Sequence, residues 1–565
     1  MKVELAGYNI ERDLLQALTR GRKIAPTPET ISAAYARVSR SQKPVEELRK
    51  EARKEIGRAR KSNETIVFEM GHHSIAEHAV FNFDVVGVSR LAVEALEHHR
   101  LNAYTEKSQR YVTLEDDYLI PEEILDTDLR EEFVSTVRMQ NRYYHILAEK
   151  LRDYLKQRYP ELQEDQLALD NAAKEDARYI TCLATQTQLG MTVNARNLEL
   201  MVRRFAASEL AEVRELGSEL YRAAVAVAPS LLLFCGPGDY ETKTYPRLND
   251  YAESFMIPAF TKRPRNFIAY SASDVTLVDY TQNADNKLLA ALMHVSSKVS
   301  YAECLNRVER QTLARKKEIF KQACQDVQSY NEMLREFEHL YLTFELIISA
   351  SCFAQIKRHR MMSMTCQPYN PNVGWTIPVS VAEIKEHRNF KEILGRTEDS
   401  YERIREHHPA AAQYVLTNSH QRRVLVTLNA RELYHLARLR EDLAAQWDIR
   451  DIVNRMVEQA RNVMPLTLVL ASGKGNYPAV YHELYGTEPA ITSLELPCAR
   501  ELPKVDEVPR SAGQAAQKRN PATRRARKPA RKKTSATPRK ASGKRARKTR
   551  NRTAGSRKSK RTGKK

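Results

Sequence analysis

Two short stretches of the chain gather the residue types that hold anions. The first runs His98-His99-Arg100-Leu101-Asn102-Ala103-Tyr104-Thr105-Glu106-Lys107-Ser108-Gln109-Arg110-Tyr111. The second begins Arg358-His359-Arg360 and continues through Ser363 and Cys366 to Pro368-Tyr369-Asn370. An arginine presents a planar fork of donors that fits a phosphate or a nucleobase carbonyl. A serine hydroxyl with neighbouring backbone N–H groups completes such a site. The competing reading of both stretches is a polar helix end that caps its own carbonyls and pairs with other surface charges.

The elements that must position these clusters repeat. Glu77-His78 and Glu338-His339 each precede an alternating stretch, from Ala79 to Val85 and from Leu340 to Leu346, which predicts a strand. Each strand runs into a helical segment opened by a serine N-cap, Ser89 and Ser349. Each helix ends in a His/Arg cluster. Further on, Thr192-Val193-Asn194-Ala195-Arg196 is echoed by Thr427-Leu428-Asn429-Ala430-Arg431. Matches in the same order at four places indicate a divergent tandem duplication.

The charge of the chain is unevenly distributed. The chain of 565 residues has a formal charge of +20, but Arg510 to Lys565 holds 24 Lys/Arg and no acid. The remainder carries 67 basic and 71 acidic residues, a net of −4, so the Arg clusters of the body are local features. The basic tail lacks aromatics and almost all aliphatics, which predicts a disordered segment. It would hold DNA or RNA by counterion release, without stacking on bases. A solubility or localisation appendage is the alternative.

Composition limits the rest. Hydrophobic content of 42% suffices for a core, and 29% charged residues suit a soluble protein. The longest apolar stretch, Ala223 to Cys235, is interrupted by Pro229 and Ser230 and is too short to span a bilayer, so no membrane association is expected. The start shows no signal-peptide pattern. Seven scattered cysteines without a CxxC pair fit a reducing, cytoplasmic setting. The segment His72-His73-Ser74-Ile75-Ala76-Glu77-His78 superficially suggests zinc. Three residues separate His73 from Glu77 where the zinc motifs have two, so no metal site is expected. The Phe133–Tyr154 stretch, with Tyr143 and Tyr144 at helical spacing, reads as core or interface.

At the two clusters the sequence resembles the flavin-dependent thymidylate synthases. That family carries an RHRxxSxxxxSxRY motif, preceded by GHxSxxEH and followed by NxR and a late Arg. The first copy matches Gly71-His72-His73-Ser74, Glu77-His78, His99-Arg100, Glu106, Ser108, Arg110-Tyr111, Arg178, Asn194, Arg196 and, with a one-residue gap, Arg204. The second matches Glu338-His339, Gln355, Arg358-His359-Arg360, Ser363, Asn429, Arg431, His435, Arg440 and Ala445-Gln446-Trp447-Asp448-Ile449-Arg450. Each copy also departs from the pattern. The first has Ala95, His98, Ala103 and Leu200, and the second has Met333, Arg335, Cys366, Pro368, Asn370 and Gln413.

The resemblance implies an α+β fold of two tandem units, each an antiparallel sheet flanked by helices, ahead of the basic tail. The expected division is residues 1–235, a turn-rich linker 236–262, a second unit 263–485, and a connector and tail 486–565. In the family four units form a tetramer, which two tandem chains would rebuild as a homodimer. The implied reaction is reductive methylation of dUMP to dTMP with FAD, NADPH and methylenetetrahydrofolate. No GxGxxG loop is present, so FAD must bind in another way.

The two copies have lost complementary parts, which implies one composite site. Arg440 is the expected catalytic residue, set against the uracil edge. Gln355 and Arg358 of the second copy would meet dUMP together with Glu106, Ser108, Arg110 and Arg178 of the first. The implied cofactor contacts are His72, Ser74, Glu77, Arg358, His359, Arg360, Asn429, Arg431 and His435. The decayed reciprocal site would hold His98, His99, Arg100, Asn194, Arg196 and Arg204. The competing class is a non-catalytic protein that binds nucleotides or nucleic acid, with its function in the tail. On either reading the tail would associate a cytoplasmic chain with the nucleoid.

Overall fold

Alternation sets the two central strands of each half. In Val80–Ser89 (β2) the side chains of Phe81, Phe83 and Val85 are buried, while Asn82, Asp84 and Val86 face out. In Tyr341–Ser349 (β6) Leu342, Phe344 and Leu346 take the inward positions. The computed structural model describes residues 1–21, 26–255 and 275–490. Expectations for the basic tail, and the end of the expected linker, lie outside the described residues.

Two four-stranded antiparallel sheets result. The first joins Lys2–Tyr8 (β1), β2, Ala103–Glu106 (β3) and Gln186–Asn194 (β4) in the order β1-β2-β4-β3. The second joins Val275–Tyr280 (β5), β6, Ser363–Cys366 (β7) and Gln421–Asn429 (β8) in the order β5-β6-β8-β7. Topology and register repeat together. Val80 pairs with Asn194 as Tyr341 pairs with Asn429. The edge strands break register at the same place, between Leu5 and Gly7 and between Leu277 and Asp279. The copies differ at Gly87, which accommodates an extra register shift in β2 at φ 73°.

The helix caps fix which residues correspond. Ser89 accepts from the Ala92 N–H at 3.0 Å, and Ser349 from the Cys352 N–H at 2.9 Å. Asn194 and Asn429 cap the helices Ala195–Ala206 and Ala430–Arg440 in the same way. Counted from the serines, Ala95 corresponds to Gln355 and His98 to Arg358. Counted from the asparagines, Leu200 corresponds to His435 and Phe205 to Arg440.

The halves meet around a pseudo-two-fold axis. Cys182 and Thr417 occupy equivalent positions and form an antiparallel bridge with one another. The Leu183 N–H donates to the Leu416 carbonyl at 2.8 Å, and the Asn418 N–H to the Thr181 carbonyl at 2.9 Å. Ala184–Tyr414 and Ser419–Tyr179 repeat the exchange one step out. The Tyr179 hydroxyl donates to Asp448, which also receives the Ser349 hydroxyl. Tyr414 does the same for Glu212, which receives the Ser89 hydroxyl. Each half therefore anchors the strand-to-helix turn of the other.

Shared cores join the halves. Phe133 and Val137 of the helix Leu129–Arg158 pack with Tyr401, Ile404 and Leu416, and Tyr143 and Tyr144 pack with Phe390 and Leu394. Core or interface is the expectation for that stretch, and its residues are buried in cores shared by both halves. The described residues belong to one compact unit. The expected turn-rich linker requires a correction: Asp239–Phe255 is a helix, with Pro246 inside it and Tyr240, Tyr245, Leu248 and Tyr251 exposed. Gly236, Pro237 and Gly238 break the chain only ahead of it. No helix among the described residues is long and apolar enough to cross a membrane.

Candidate active site

The helix Ala350–Ile356 ends where the second cluster begins, and the turn after it aims Arg358 at the first half. One Arg358 nitrogen donates to Glu106 Oε2 at 2.9 Å. Glu106 ends β3 and is buried, and its other oxygen pairs with the buried Arg90. Glu97 lies 3.9 Å from Arg358. The first-half loop and the second-half helix end are thus joined by direct contact.

Arg440 closes the same region from the end of its helix. Its Nε donates to His359 Nε2 at 3.0 Å. Burial, and then the positive charge of Arg440, hold His359 down to about 3, so the ring is a neutral acceptor. Burial followed by the charges of Arg358 and Arg110 holds Arg440 below its usual range. Gln355 donates to Gln446 at 3.2 Å, and Gln446 donates to the Tyr179 hydroxyl at 2.8 Å. The Gln355 Oε1 is buried without a partner.

The first half supplies the remaining polar groups. Arg178 follows the helix Gln166–Ala177 and is buried, with one terminal nitrogen lacking a hydrogen-bond partner. Its ionisation is lowered by burial first, and Arg110 acts in the same direction. Arg110 pairs with Glu175, and its N–H donates to Ser108 Oγ at 3.2 Å. Gln355, Arg358 and Arg440 are therefore gathered with Glu106, Ser108, Arg110 and Arg178. A cluster of cations with an orphaned guanidinium nitrogen is chemically suited to an oxyanion.

A cavity of about 700 Å³ opens beside this cluster, between the halves. Arg358, His359, Arg360, Asn429, Arg431 and His435 line it, together with Glu77. Such a volume is in the range of cofactor pockets. The ring centroids of His359 and His435 are 5.5 Å apart. Arg431 is held by Glu338 at 2.7 Å and Glu332 at 2.5 Å. His72 and Ser74 are exposed and do not line the cavity, and Glu77 pairs with Arg196 at 2.5 Å.

The residues expected at a separate, decayed site divide. Arg100 and Asn194 line the same cavity, which straddles the pseudo-two-fold axis. His98 and His99 lie outside it, with both ring pKa values lowered chiefly by burial. The position of Arg440 is taken in the first half by Phe205, without the one-residue gap that would place Arg204 there. Phe205 packs edge-on against His99 at 5.8 Å, where Arg440 meets His359 in the other half. Arg204 is exposed.

The space reciprocal to the arginine cluster is filled by protein. Tyr369 and Arg422 both donate to Glu94 at 2.7 Å. The Arg422 guanidinium lies 4.2 Å from the Tyr369 ring centroid and 4.7 Å from that of Phe353. Gln413, the counterpart of Arg178, accepts from the Tyr369 N–H at 3.0 Å. Sequence reasoning missed this plug because its members are far apart in the chain. No local signal marks it, since Arg422 sits between Gln421 and Arg423 in a polar strand start and its partner Glu94 is 328 residues away.

Residues 22–230 and 276–466 match the model of a family described as thymidylate synthase complementing protein. The chain is 33% identical over 217 residues to a flavin-dependent thymidylate synthase of Clostridium tetani, covering 38% of this chain and 84% of that protein. It is 23% identical over 456 residues to a UPF0159 protein of Thermoplasma acidophilum, covering 73% and 89% of the two chains. Among solved structures it is similar to a Helicobacter pylori flavin-dependent thymidylate synthase complexed with FAD and dUMP, at 18% identity and a TM-score of 0.28, covering 42% of this chain and 100% of that one. Both halves are matched and both have the same sheet, so the chain belongs to the thymidylate synthase complementing protein family and carries the family's unit twice.

Proposed function

We propose that the chain is a flavin-dependent thymidylate synthase with one composite site per chain, converting dUMP to dTMP. The contact of Arg358 with Glu106 carries this reading, because it joins the surviving parts of the two degenerate motifs. Similarity to proteins named flavin-dependent thymidylate synthase supports the reaction class.

Ser108, Arg110 and Arg178 hold the dUMP phosphate, and Gln355 and Arg358 orient the nucleotide. Arg440 faces the pyrimidine and stabilises the charge that develops as N3 loses its proton, which activates the ring carbon. The neutral His359 fixes the orientation of the Arg440 fork. No cysteine nucleophile is required. Arg100, Arg358, Arg360 and Arg438 supply donors for a diphosphate, and His359 and His435 present uncharged ring surface, so the cavity fits FAD. When bound, FAD would supply the hydride, with NADPH as its reductant and methylenetetrahydrofolate as the carbon donor.

A non-catalytic nucleotide-binding protein is the second reading. The pairing of Arg431 with Glu332 and Glu338 favours it, since it occupies one of the expected cofactor contacts. The purified full chain separates the two. Flavin absorbance together with dTMP formation from dUMP is expected. A colourless protein that binds dUMP without turnover would establish the second reading instead.

A further inference from the structure

Two buried ion pairs cross the interface between the halves, and both take their acid from the first half. Lys357 Nζ lies 3.0 Å from Glu97 Oε2, with both side chains almost fully buried. Arg422 lies 2.7 Å from Glu94, also largely buried. Counted from the serine caps, Glu97 and Lys357 are equivalent positions, and Glu94 corresponds to Ala354. Counted from the asparagine caps, Arg422 corresponds to Thr187. Around a two-fold axis, like halves would bring identical residues together. A first half facing a first half would oppose Glu97 to Glu97 and leave Glu94 beside Thr187. A second half facing a second half would oppose Lys357 to Lys357 and leave Arg422 beside Ala354. The buried Arg90 lies near Glu97 and Glu94 but is already paired with Glu106, so the first pairing buries an excess of acid and the second an excess of base, each far more costly than the neutral pair.

We infer that this interface is a charge code by which each half accepts only the unlike half as its partner. The code keeps the surviving motif parts in register, since only unlike pairing brings Arg358 to Glu106. It rests on the interface alone and not on the reaction assigned to the site. It also excludes like-with-like assembly between two copies of the chain through these faces.

Single substitutions in the full chain reproduce the excluded pairings in place. Lys357→Glu sets acid against acid, as between two first halves, and Glu97→Lys sets base against base, as between two second halves. Urea titration of the full chain is expected to show each single variant with its folded-to-unfolded ratio lowered by at least about a hundredfold. The exchange variant Glu97→Lys/Lys357→Glu restores opposite charges and is expected to recover at least half of that loss. Single variants as stable as the parent chain, or an exchange variant that recovers less than half, would overturn the inference.

Discussion

Arg358 of the second half donates to Glu106 of the first at 2.9 Å, and Glu106 in turn neutralises the buried Arg90. One carboxylate therefore positions an arginine contributed by the other half of the chain. Glu106→Gln keeps the shape and removes the charge. It is expected to cost about 2–4 kcal/mol of stability, because Arg90 loses its counter-ion. The KM for dUMP should rise more than kcat falls, which steady-state kinetics would resolve.

Arg440 and Phe205 occupy equivalent helix positions with opposite expected consequences. Arg440→Ala should lower kcat/KM for dUMP by at least about a hundredfold, the scale of losing a preorganised charge. Phe205→Ala should cost about 3–5 kcal/mol of stability as a core truncation. The turnover of its folded fraction should be unchanged, and Arg204→Ala should be mild by both measures.

Burial pushes the Glu441 carboxyl up to about 7, against the opposing effects of Arg461 and the Gly473 N–H. The folded state binds this proton more tightly than the unfolded chain does. Stability from this group is therefore full below about pH 4.5 and is lost as pH rises toward 7. Glu441→Gln should raise stability at pH 8 by on the order of 2 kcal/mol. It should have little effect at pH 4, as thermal melts of the two proteins at both pH values would show. The difference between proteins is the required readout, since His99, His359 and His420, each held down to about 3, titrate with the opposite sign.

The basic segment beyond Leu502 carries the net charge of the chain but none of the residues placed at the site. Truncation after Leu502 should leave flavin absorbance unchanged and abolish retention on immobilised DNA at low salt. Retention by the truncated body would move the nucleic-acid contact into the folded unit.

The parts of the fold that the sequence made legible are those specified by local pattern. Alternation placed β2 and β6, and the serine caps at Ser89 and Ser349 form as their type predicts. The short strands β3 and β7 lie inside the two Arg/His clusters, where polar residues obscure the alternation. Pro246 and the preceding glycines suggested turns, yet Asp239–Phe255 is helical. The plug of Glu94, Tyr369 and Arg422 had no local signature, because charge burial there is compensated only across the interface. The identity of Phe205 as the counterpart of Arg440 needed the helix caps to set the register.

In the proposed composite arrangement each chain has one nucleotide site, with the reciprocal space closed by Tyr369 and Arg422. Isothermal titration of the full chain with dUMP measures this directly. One dUMP per chain, abolished by Arg178→Ala, is the expected result. Two dUMP per chain, or binding that survives Arg178→Ala, would contradict it.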